Sequence, residues 1–179
     1  MKKNIKIPVS VKLSPFYTNA LNLIQMMYFE GVDGFVLFNR FFQPDIDTDK
    51  EEHYTLHGIS HEEDNRIALR YAGLLYGEIH GSICANTGIF TGNDVVKMLL
   101  AGADCVQVVS TLYKNGIPYI STMIEDIRKW MESKNYETIN AFRGKLSKKN
   151  LKDPFAYKRA QYVDILMKSE DIFKNYPMR

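Results

Sequence analysis

Two polar residues lie at the ends of apolar, strand-like runs, where side chains that bind ligands are often found. Lys12 follows Val11 among apolar residues, and a lysine there is costly to bury without a partner. Asn39 ends the apolar run 34–39 and offers both a hydrogen-bond donor and an acceptor. We interpret Lys12 as a cation that faces an anionic ligand, with a solvent-facing side chain as the alternative. Asn39 is either a ligand contact or a turn residue.

Two further positions have the chemistry to bind a phosphate group. Thr87 and Gly88 follow a third apolar run and precede a helix that Thr91 caps. Glycine lets backbone N–H groups approach a ligand closely, and a helix N-terminus favours negative charge. Val109 and Ser110 end a fourth apolar run. Together the two motifs predict a phosphate site, and ordinary strand-to-helix turns are the alternative.

The elements that position these residues alternate between strand and helix. We predict strands at 7–13, 34–39, 82–86 and 105–110, and helices at 18–30, 60–76, 91–100 and 117–133. The third helix has a cap at Thr91 and a stop at Gly102, and Ser60 opens a capping box for the second. Short, nearly continuous apolar strands are typical of a parallel sheet.

This order predicts an α/β fold that is the C-terminal half of a TIM (β/α)8 barrel, four β/α units plus a C-terminal helical tail. In such barrels the loops after the last two strands often form a phosphate site together. We predict a half-barrel over residues 1–133, with an insertion at 41–59 that acts as a lid or interaction arm. Residues 134–179 form a basic tail, with a short helix from Pro154 to Met167.

Composition excludes several classes of function. A net charge of +2 and 45% hydrophobic residues give no reason to expect a nucleic-acid partner. No apolar run reaches about 18 residues, and no secretory signal is expected, so we predict a cytoplasmic protein without a membrane partner.

Residues 134–179 contain eleven Lys or Arg against five Asp or Glu. We interpret this segment as a solvated helix and a frayed end, with a phosphate-rich partner as the alternative.

Histidines and cysteines give no metal signal. His53, His57 and His61 recur every four residues, but Gly58 and the Ser60 cap prevent one helix from presenting all three. We therefore predict no metal site.

Cys84 and Cys105 lie in apolar runs without Cys-x-x-Cys spacing. We expect both to be buried, reduced thiols.

Four stretches carry a family resemblance: VKLSPF (11–16), GVDGFVLFNRFFQPDID (31–47), ANTGIFTGNDVVKMLLAGADCVQVVSTL (85–112) and DPFAYKRAQY (153–162). On these stretches the chain resembles the dihydroorotate dehydrogenase family of FMN-dependent barrels, and most closely its bacterial dihydroorotate dehydrogenase-like branch. The longest stretch is fairly specific, and the last is distinctive of that branch.

The resemblance implies a role for each candidate residue. Lys12 matches the lysine that ends the family's fifth strand and contacts the flavin. Asn39 matches the sixth-strand asparagine that contacts flavin or substrate. Thr87 and Gly88 match the seventh-strand turn at the FMN phosphate, and Ser110 matches the hydroxyl residue of the eighth-strand phosphate turn.

The chain also departs from the family pattern. Thr87 and Val109, the latter in the same phosphate turn as Ser110, stand where the family often has glycine. Arg40 stands where it often has a small hydroxyl residue. The family's catalytic base, a Cys or Ser after the fourth strand, has no match, since Cys84 and Cys105 lie inside strands. We therefore expect no catalytic residue here, and expect the base on an N-terminal half that precedes the matched region.

By resemblance the function is that of an FMN-dependent CH–CH oxidoreductase of pyrimidine biosynthesis. A hydride passes from a dihydroorotate-like small molecule to the flavin while a base removes the adjacent proton. This chain is expected to be the FMN-phosphate-binding half and to be inactive alone. The alternative is a non-catalytic half-barrel remnant or structural module that binds a phosphate-bearing ligand or nothing.

A half-barrel has consequences for assembly. It exposes two strand edges and the apolar side chains that fill a barrel interior. We therefore expect a homodimer, or pairing with a separate N-terminal half-barrel.

Overall fold

A computed structural model describes residues 4–41, 43–55, 58–157 and 167. In chain order the elements are β1 (Ser10–Leu13), α1 (Ala20–Phe29), β2 (Gly34–Leu37), β3 (Pro44–Asp47), β4 (Glu52–Thr55), α2 (Asn65–Leu75), β5 (Ser82–Asn86), α3 (Gly92–Ala101), β6 (Cys105–Gln107), α4 (Ser110–Asn115) and α5 (Tyr119–Ser133). Short 3-10 turns occupy Glu62–Asp64, Ile139–Ala141 and Phe155–Tyr157.

Four strands form one parallel sheet in the order β1-β2-β5-β6. Each β/α unit therefore places its strand beside the strand of the preceding unit. This confirms the predicted α/β fold with a parallel sheet. The strand at 82–86 has its predicted bounds, whereas the other three are shorter than predicted because their ends leave the ladder.

The insertion contains an element that the sequence analysis did not predict. β3 and β4 pair antiparallel as a separate two-stranded hairpin, with Asp47 Oδ1 accepting the turn N–H groups of Asp49 and Lys50 at 3.1 Å each. Charged residues dominate this stretch, so the hydrophobic pattern gave no strand signal.

The helix caps are partly as predicted. Thr91 Oγ1 accepts the Asp94 N–H at 3.2 Å, Asp94 Oδ2 accepts the Thr91 N–H at 3.1 Å, and Gly102 ends α3 with φ +126°. The predicted cap at Ser60 is wrong. The chain turns instead at His61, whose N–H donates to Asp64 Oδ2 at 2.8 Å, and the Ser60 side chain bonds elsewhere.

The two faces of the sheet differ in chemistry. One face packs against the helices through Leu13, Phe35, Leu37, Ile83 and Ala85, all buried in the main core. Register pairing puts the intervening residues on the other face, and those exposed there are Ser10, Lys12, Ser82, Cys105 and Gln107. We call this second face the polar face.

The polar face corrects one expectation. We expected apolar side chains suited to a barrel interior, yet the exposed residues of this face are hydroxyl, amide, thiol and ammonium groups. The exposed edges are as expected, since β1 and β6 end the sheet. The prediction that Cys105 is buried is wrong, since its thiol is exposed. The reason is that its apolar run forms an edge strand of the sheet.

Residues 134–157 pack against the helical layer. Phe142 is fully buried between Trp130 and Tyr136, with ring centroids 4.9 and 5.2 Å away. The segment is tied to the ends of two helices by backbone bonds of 2.9 Å from Gly144 N–H to Leu99 O and from Lys148 N–H to Gly73 O. Most of the predicted helix from Pro154 to Met167 lies outside the described residues.

Among the helices of the described residues, none combines the length and the apolar character needed to cross a bilayer.

Phe142 offers a direct test of this packing. Replacement Phe142→Ala empties a fully buried aromatic site, so we expect a loss of about 3–5 kcal/mol in the free energy of unfolding. The matched control is Phe29→Ala, where the ring is 82% exposed and the loss should stay within about 0.5 kcal/mol. Urea titration followed by Trp130 fluorescence measures both, and equal losses would contradict the described core.

Candidate functional site

A cleft of about 290 Å³ lies at the carboxyl ends of the parallel strands. All six residues predicted to bind a cofactor line it: Lys12, Asn39, Thr87, Gly88, Val109 and Ser110. They come from the ends of four different strands, which the parallel order brings to one edge of the sheet. We call this the strand-end cleft.

The lining of the strand-end cleft combines cationic and polar side chains with apolar ones such as Ile59, Ile89 and Val108. Lys12 and Arg40 contribute positive charge, and none of its described lining residues is an aspartate or a glutamate. Amide and hydroxyl groups of Asn86, Gln107 and Ser60 make up most of the remaining polar lining. Lys12 therefore offers positive charge to an anion, and the amide and hydroxyl groups offer hydrogen-bond donors, while the Arg40 charge is shared with the Asp64 carboxylate.

Lys12 is exposed on the polar face and at the same time lines the cleft. In the described part of the chain, no ion pair or hydrogen bond holds its ammonium group. A lysine in this position keeps its charge available to a ligand.

The turn after β5 uses two consecutive residues with positive φ, Thr87 at +78° and Gly88 at +70°. Threonine is β-branched and disfavours this region. The conformation is held by a 3.0 Å hydrogen bond from Thr87 Oγ1 to Phe38 O, and the neighbouring Asn86 Nδ2 donates to the same oxygen at 3.0 Å. These bonds attach the β5 turn to the end of β2.

Glycine is required at position 88 because of contacts within the protein. A Cβ at this position would lie 2.5 Å from Asn65 N and 2.7 Å from His61 O. The prediction assigned the missing side chain to close approach of a ligand. The structure shows close approach of the backbone before α2, and Asn65 Nδ2 fixes the contact by donating to Gly88 O at 3.0 Å.

Ser110 is joined to the end of the insertion. Its Oγ accepts the Ser60 N–H at 3.1 Å and the Ser60 hydroxyl at 2.7 Å. Because Oγ accepts both bonds, the hydroxyl hydrogen of Ser110 remains able to donate to a ligand oxygen. Thr111 beside it is fully buried and donates to Phe90 O at 3.1 Å, so its role is structural.

The N-terminus of α3 is occupied by a side chain of its own. Asp94 Oδ2 accepts the N–H groups of Phe90 and Thr91 at 3.2 and 3.1 Å, and Lys97 Nζ bonds Oδ1 at 2.9 Å. Burial would raise the pKa of Asp94, but these hydrogen bonds outweigh it and lower the pKa below its usual value. Asp94 thus places a carboxylate beside the α3 terminus, and attraction of a ligand phosphate to this terminus stays a prediction.

Arg40 connects the cleft with the insertion. Its Nη1 donates to Gly58 O at 2.8 Å, and its Nε lies 3.1 Å from Asp64 Oδ2. Arg40 also lines a second cleft of about 390 Å³, together with Asn39 and exposed rings at Phe16 and Phe41. The backbone N–H of Asn39 donates to Leu13 O at 2.7 Å, which continues the β1–β2 pairing into both clefts.

Within the described residues, no cluster of three or more His, Cys, Asp or Glu side chains could hold a metal ion. His53 lies on β4 and His61 before the 3-10 turn, while His57 lies outside the described residues.

With this geometry established, comparison with known proteins shows the family. The sequence profile described as dihydroorotate dehydrogenase matches residues 1–131. The chain belongs to the dihydroorotate dehydrogenase family.

Named relatives agree with this assignment. The chain is 28% identical over 138 residues to dihydroorotate dehydrogenase B (NAD(+)), catalytic subunit, of Methanocaldococcus jannaschii, covering 75% of this chain and 45% of that protein. It is 32% identical over 156 residues to probable dihydroorotate dehydrogenase A (fumarate) of Enterococcus faecalis, covering 78% of this chain and 48% of that protein. The chain thus spans about half the length of these relatives.

In this member of the dihydroorotate dehydrogenase family, four polar residues of the lining were not assigned to the cofactor from the sequence: Arg40, Ser60, Asn86 and Gln107. Asn86 and Gln107 were detectable in principle, since both are polar residues at the carboxyl ends of apolar strands. Ser60 gave a helix-cap signal instead, because serine before Glu is typical of a capping box.

Asp94 gives a pH-dependent test of the cleft's supporting structure. A lowered pKa in the folded state means that the carboxylate stabilises the fold above its unfolded pKa, and that this stability is lost as the pH falls through the folded value. We expect Asp94→Asn to lower the free energy of unfolding by about 1–2 kcal/mol at pH 7. This difference in free energy from wild type should shrink below about pH 4. Urea titrations across pH measure this.

The control is Asp49→Asn on the exposed hairpin turn, which should change the free energy of unfolding by less than about 0.5 kcal/mol at any pH. A pH-independent cost at Asp94 would contradict the assigned role of its charge.

Proposed function

We propose that this chain contributes the FMN-phosphate-binding part of a dihydroorotate dehydrogenase, which oxidises a dihydroorotate-like substrate in pyrimidine biosynthesis. One observation carries the proposal: the six predicted cofactor-binding residues line one cleft at the strand ends, and the described lining contains no acidic residue. Membership of the family supports the reaction class.

The donor set of the strand-end cleft fits a flavin mononucleotide. A phosphate monoester needs hydrogen-bond donors, which Ser110 Oγ and the turn at Thr87 and Gly88 are placed to provide. The flavin ring carries several nitrogen and oxygen atoms along its edge, and the amide groups of Asn39 and Asn86 can donate to such atoms or accept from them.

The spacing of the charged and hydroxyl groups favours an elongated ligand. Lys12 lies on β1 and Ser110 follows β6, at opposite edges of the four-stranded sheet. Three interstrand spacings separate these edges by up to about 14 Å. One phosphate cannot contact both groups, so we assign Ser110 and the β5 turn to the phosphate and Lys12 to the far, ring end.

Lys12 then acts on the chemistry through its charge. When bound, FMN supplies the ring that accepts a hydride. The ammonium of Lys12, without a carboxylate partner in the described structure, stabilises negative charge that develops beside it. Asn39, which lines both clefts, orients the part of the ligand that lies beside the second cleft. We assign no proton-abstracting base to this chain, because the family's base position has no match among its residues.

The cleft volume indicates that further elements complete the site. About 290 Å³ is just below the range of about 300–1,000 Å³ for small-molecule sites. We propose that the four strands are half of a barrel. Sequential neighbours in the sheet are the arrangement of a barrel wall, and the edges at β1 and β6 are free to pair with strands of a second copy or a separate half-barrel.

Exposed apolar side chains support the same proposal. Met26 and Phe29, one turn apart on α1, are 58% and 82% exposed, and Tyr113 and Ile117 after β6 are 81% and 75% exposed. These residues belong to the first and last β/α units, where helices of a completing half would pack.

Replacement of Lys12 tests the proposed function. Lys12→Met keeps the apolar stem and removes the charge, so we expect FMN affinity to fall about 10-fold, the effect of a lost charge-assisted hydrogen bond. Titration followed by quenching of flavin fluorescence measures the dissociation constant. The control Lys50→Met removes a 71% exposed lysine from the hairpin turn and should leave the affinity unchanged.

Two results would contradict the proposal. One is a purified wild-type chain that takes up no FMN from excess, which favours the alternative of a structural half-barrel. The other is uptake that Lys12→Met leaves unchanged, which would place the flavin outside the strand-end cleft.

A further inference from the structure

The two cysteines of the chain are direct neighbours across two parallel strands. Cys84 of β5 pairs in register with Cys105 of β6, so both side chains project from the polar face of the sheet. The same row continues through Val36 of β2 to Lys12 of β1. The chain contains two cysteines in all, and they occupy adjacent positions in this row.

The register fits the geometry of a disulfide bond. Neighbouring strands in a sheet lie about 4.7–4.9 Å apart, and the Cα atoms of disulfide-bonded cysteines usually lie about 4.4–6.8 Å apart. β6 is a three-residue edge strand with its outer side unpaired in the sheet, so a small inward shift meets little resistance. Both sulfur atoms leave the sheet on the same side, as a bridge requires.

The two thiols differ in environment. Cys105 is exposed, whereas Cys84 is 9% exposed. Burial and, to a smaller extent, the hydrogen bond with the adjacent Cys105 thiol together raise the pKa of Cys84 to about 12, and the charge of Lys12 opposes both. Cys105 is therefore the thiol that a dissolved oxidant reaches first, and Cys84 is held beside it.

We propose that Cys84 and Cys105 form an oxidisable thiol pair, in which hydrogen peroxide converts the two thiols to an intramolecular disulfide across β5 and β6. The proposal rests on register, exposure and proximity and is independent of flavin binding.

The reaction balances with one peroxide. The Cys105 thiolate attacks one peroxide oxygen, the O–O bond breaks, and a sulfenic acid and hydroxide form. Cys84 then attacks the sulfenyl sulfur, the S–S bond forms, and the S–O bond breaks with loss of hydroxide. The two thiol protons neutralise the two hydroxides. Two electrons pass from the thiols to peroxide, and two molecules of water result.

The bridge would act directly on the strand-end cleft. The next register pair on the same face of the sheet is Asn86 and Gln107, and both of these residues line the cleft. A disulfide two residues before this pair would fix the separation of β5 and β6. These are the two strands that lead into the Thr87–Gly88 turn and Ser110. Oxidation would thus make the spacing of these two turns rigid.

The experiment exposes the full-length chain to graded hydrogen peroxide, blocks remaining thiols with iodoacetamide, and measures intact mass. We expect wild type to lose the mass of two hydrogen atoms and to carry no alkyl group. On a non-reducing gel it should migrate as a monomer, because the disulfide lies within one chain. Peptide mass spectrometry should then find Cys84 linked to Cys105, and reduction should restore two alkylation sites.

Single variants separate the roles of the two thiols. With Cys84→Ser, Cys105 should stop at a sulfenic acid that dimedone captures. With Cys105→Ser, Cys84 should stay reduced at the same peroxide concentration. Cys84→Ala replaces Cys84→Ser if circular dichroism shows that serine disturbs the fold.

Three results would overturn the proposal. The first is wild type that goes directly to sulfinic acid at Cys105 without forming a disulfide. The second is a disulfide found only between chains. The third is equal capture of the Cys105 sulfenic acid in wild type and in Cys84→Ser.

Discussion

Parallel pairing in chain order is the constraint on which the whole arrangement depends. The row Leu13, Leu37, Ala85 and Val106 runs across all four strands and buries or partly buries its side chains against the helices. A slip of one residue in any strand would turn its apolar side chains onto the polar face. Because the register is fixed in this way, the residues just after each strand end must meet at one edge, and the strand-end cleft is the result.

Short-range hydrogen bonds then convert this shared edge into a defined site. Asn86 and Thr87 both donate to Phe38 O, which holds the β5 turn against the end of β2. Ser60 and Ser110 join the insertion to the turn after β6. Buried polar bonds of this kind position the cleft lining without using the charge of Lys12. The charge is therefore available for a ligand.

Much of this could be predicted from the sequence, for identifiable reasons. The apolar residues of the four runs locate the strands because the face packed against the helices must be apolar, and Thr91 with Asp94 locates the start of α3 through a local capping pattern. Contacts between distant segments were not predictable. Ser60 looks like a helix cap until Ser110 is seen beside it, and Gly88 looks like a ligand-facing glycine until the backbone at His61 is placed. The charged hairpin of β3 and β4 lacks the apolar alternation that marks a strand.

The polar face changes how association of this chain is understood. Its exposed groups at Ser10, Lys12, Ser82, Cys105 and Gln107 are hydrated and do not form a large apolar patch. The apolar side chains that remain exposed belong instead to the first and last β/α units, at Phe29 and Tyr113. The proposed edge-to-edge completion of the sheet, with helices packing at its two ends, is consistent with both observations. Burial of one sheet face against another does not.

We propose that the strand-end cleft binds the phosphate end of FMN, and a comparison of FMN with riboflavin tests this binding directly. The two molecules share the ring and the ribityl chain and differ in the phosphate. Fluorescence titration of the wild-type chain should give an affinity for FMN at least about 10-fold higher than for riboflavin, as expected for a charge-assisted hydrogen bond to the phosphate. Ser110→Ala should remove most of that difference. Equal affinity for FMN and riboflavin in the wild-type chain would contradict the account.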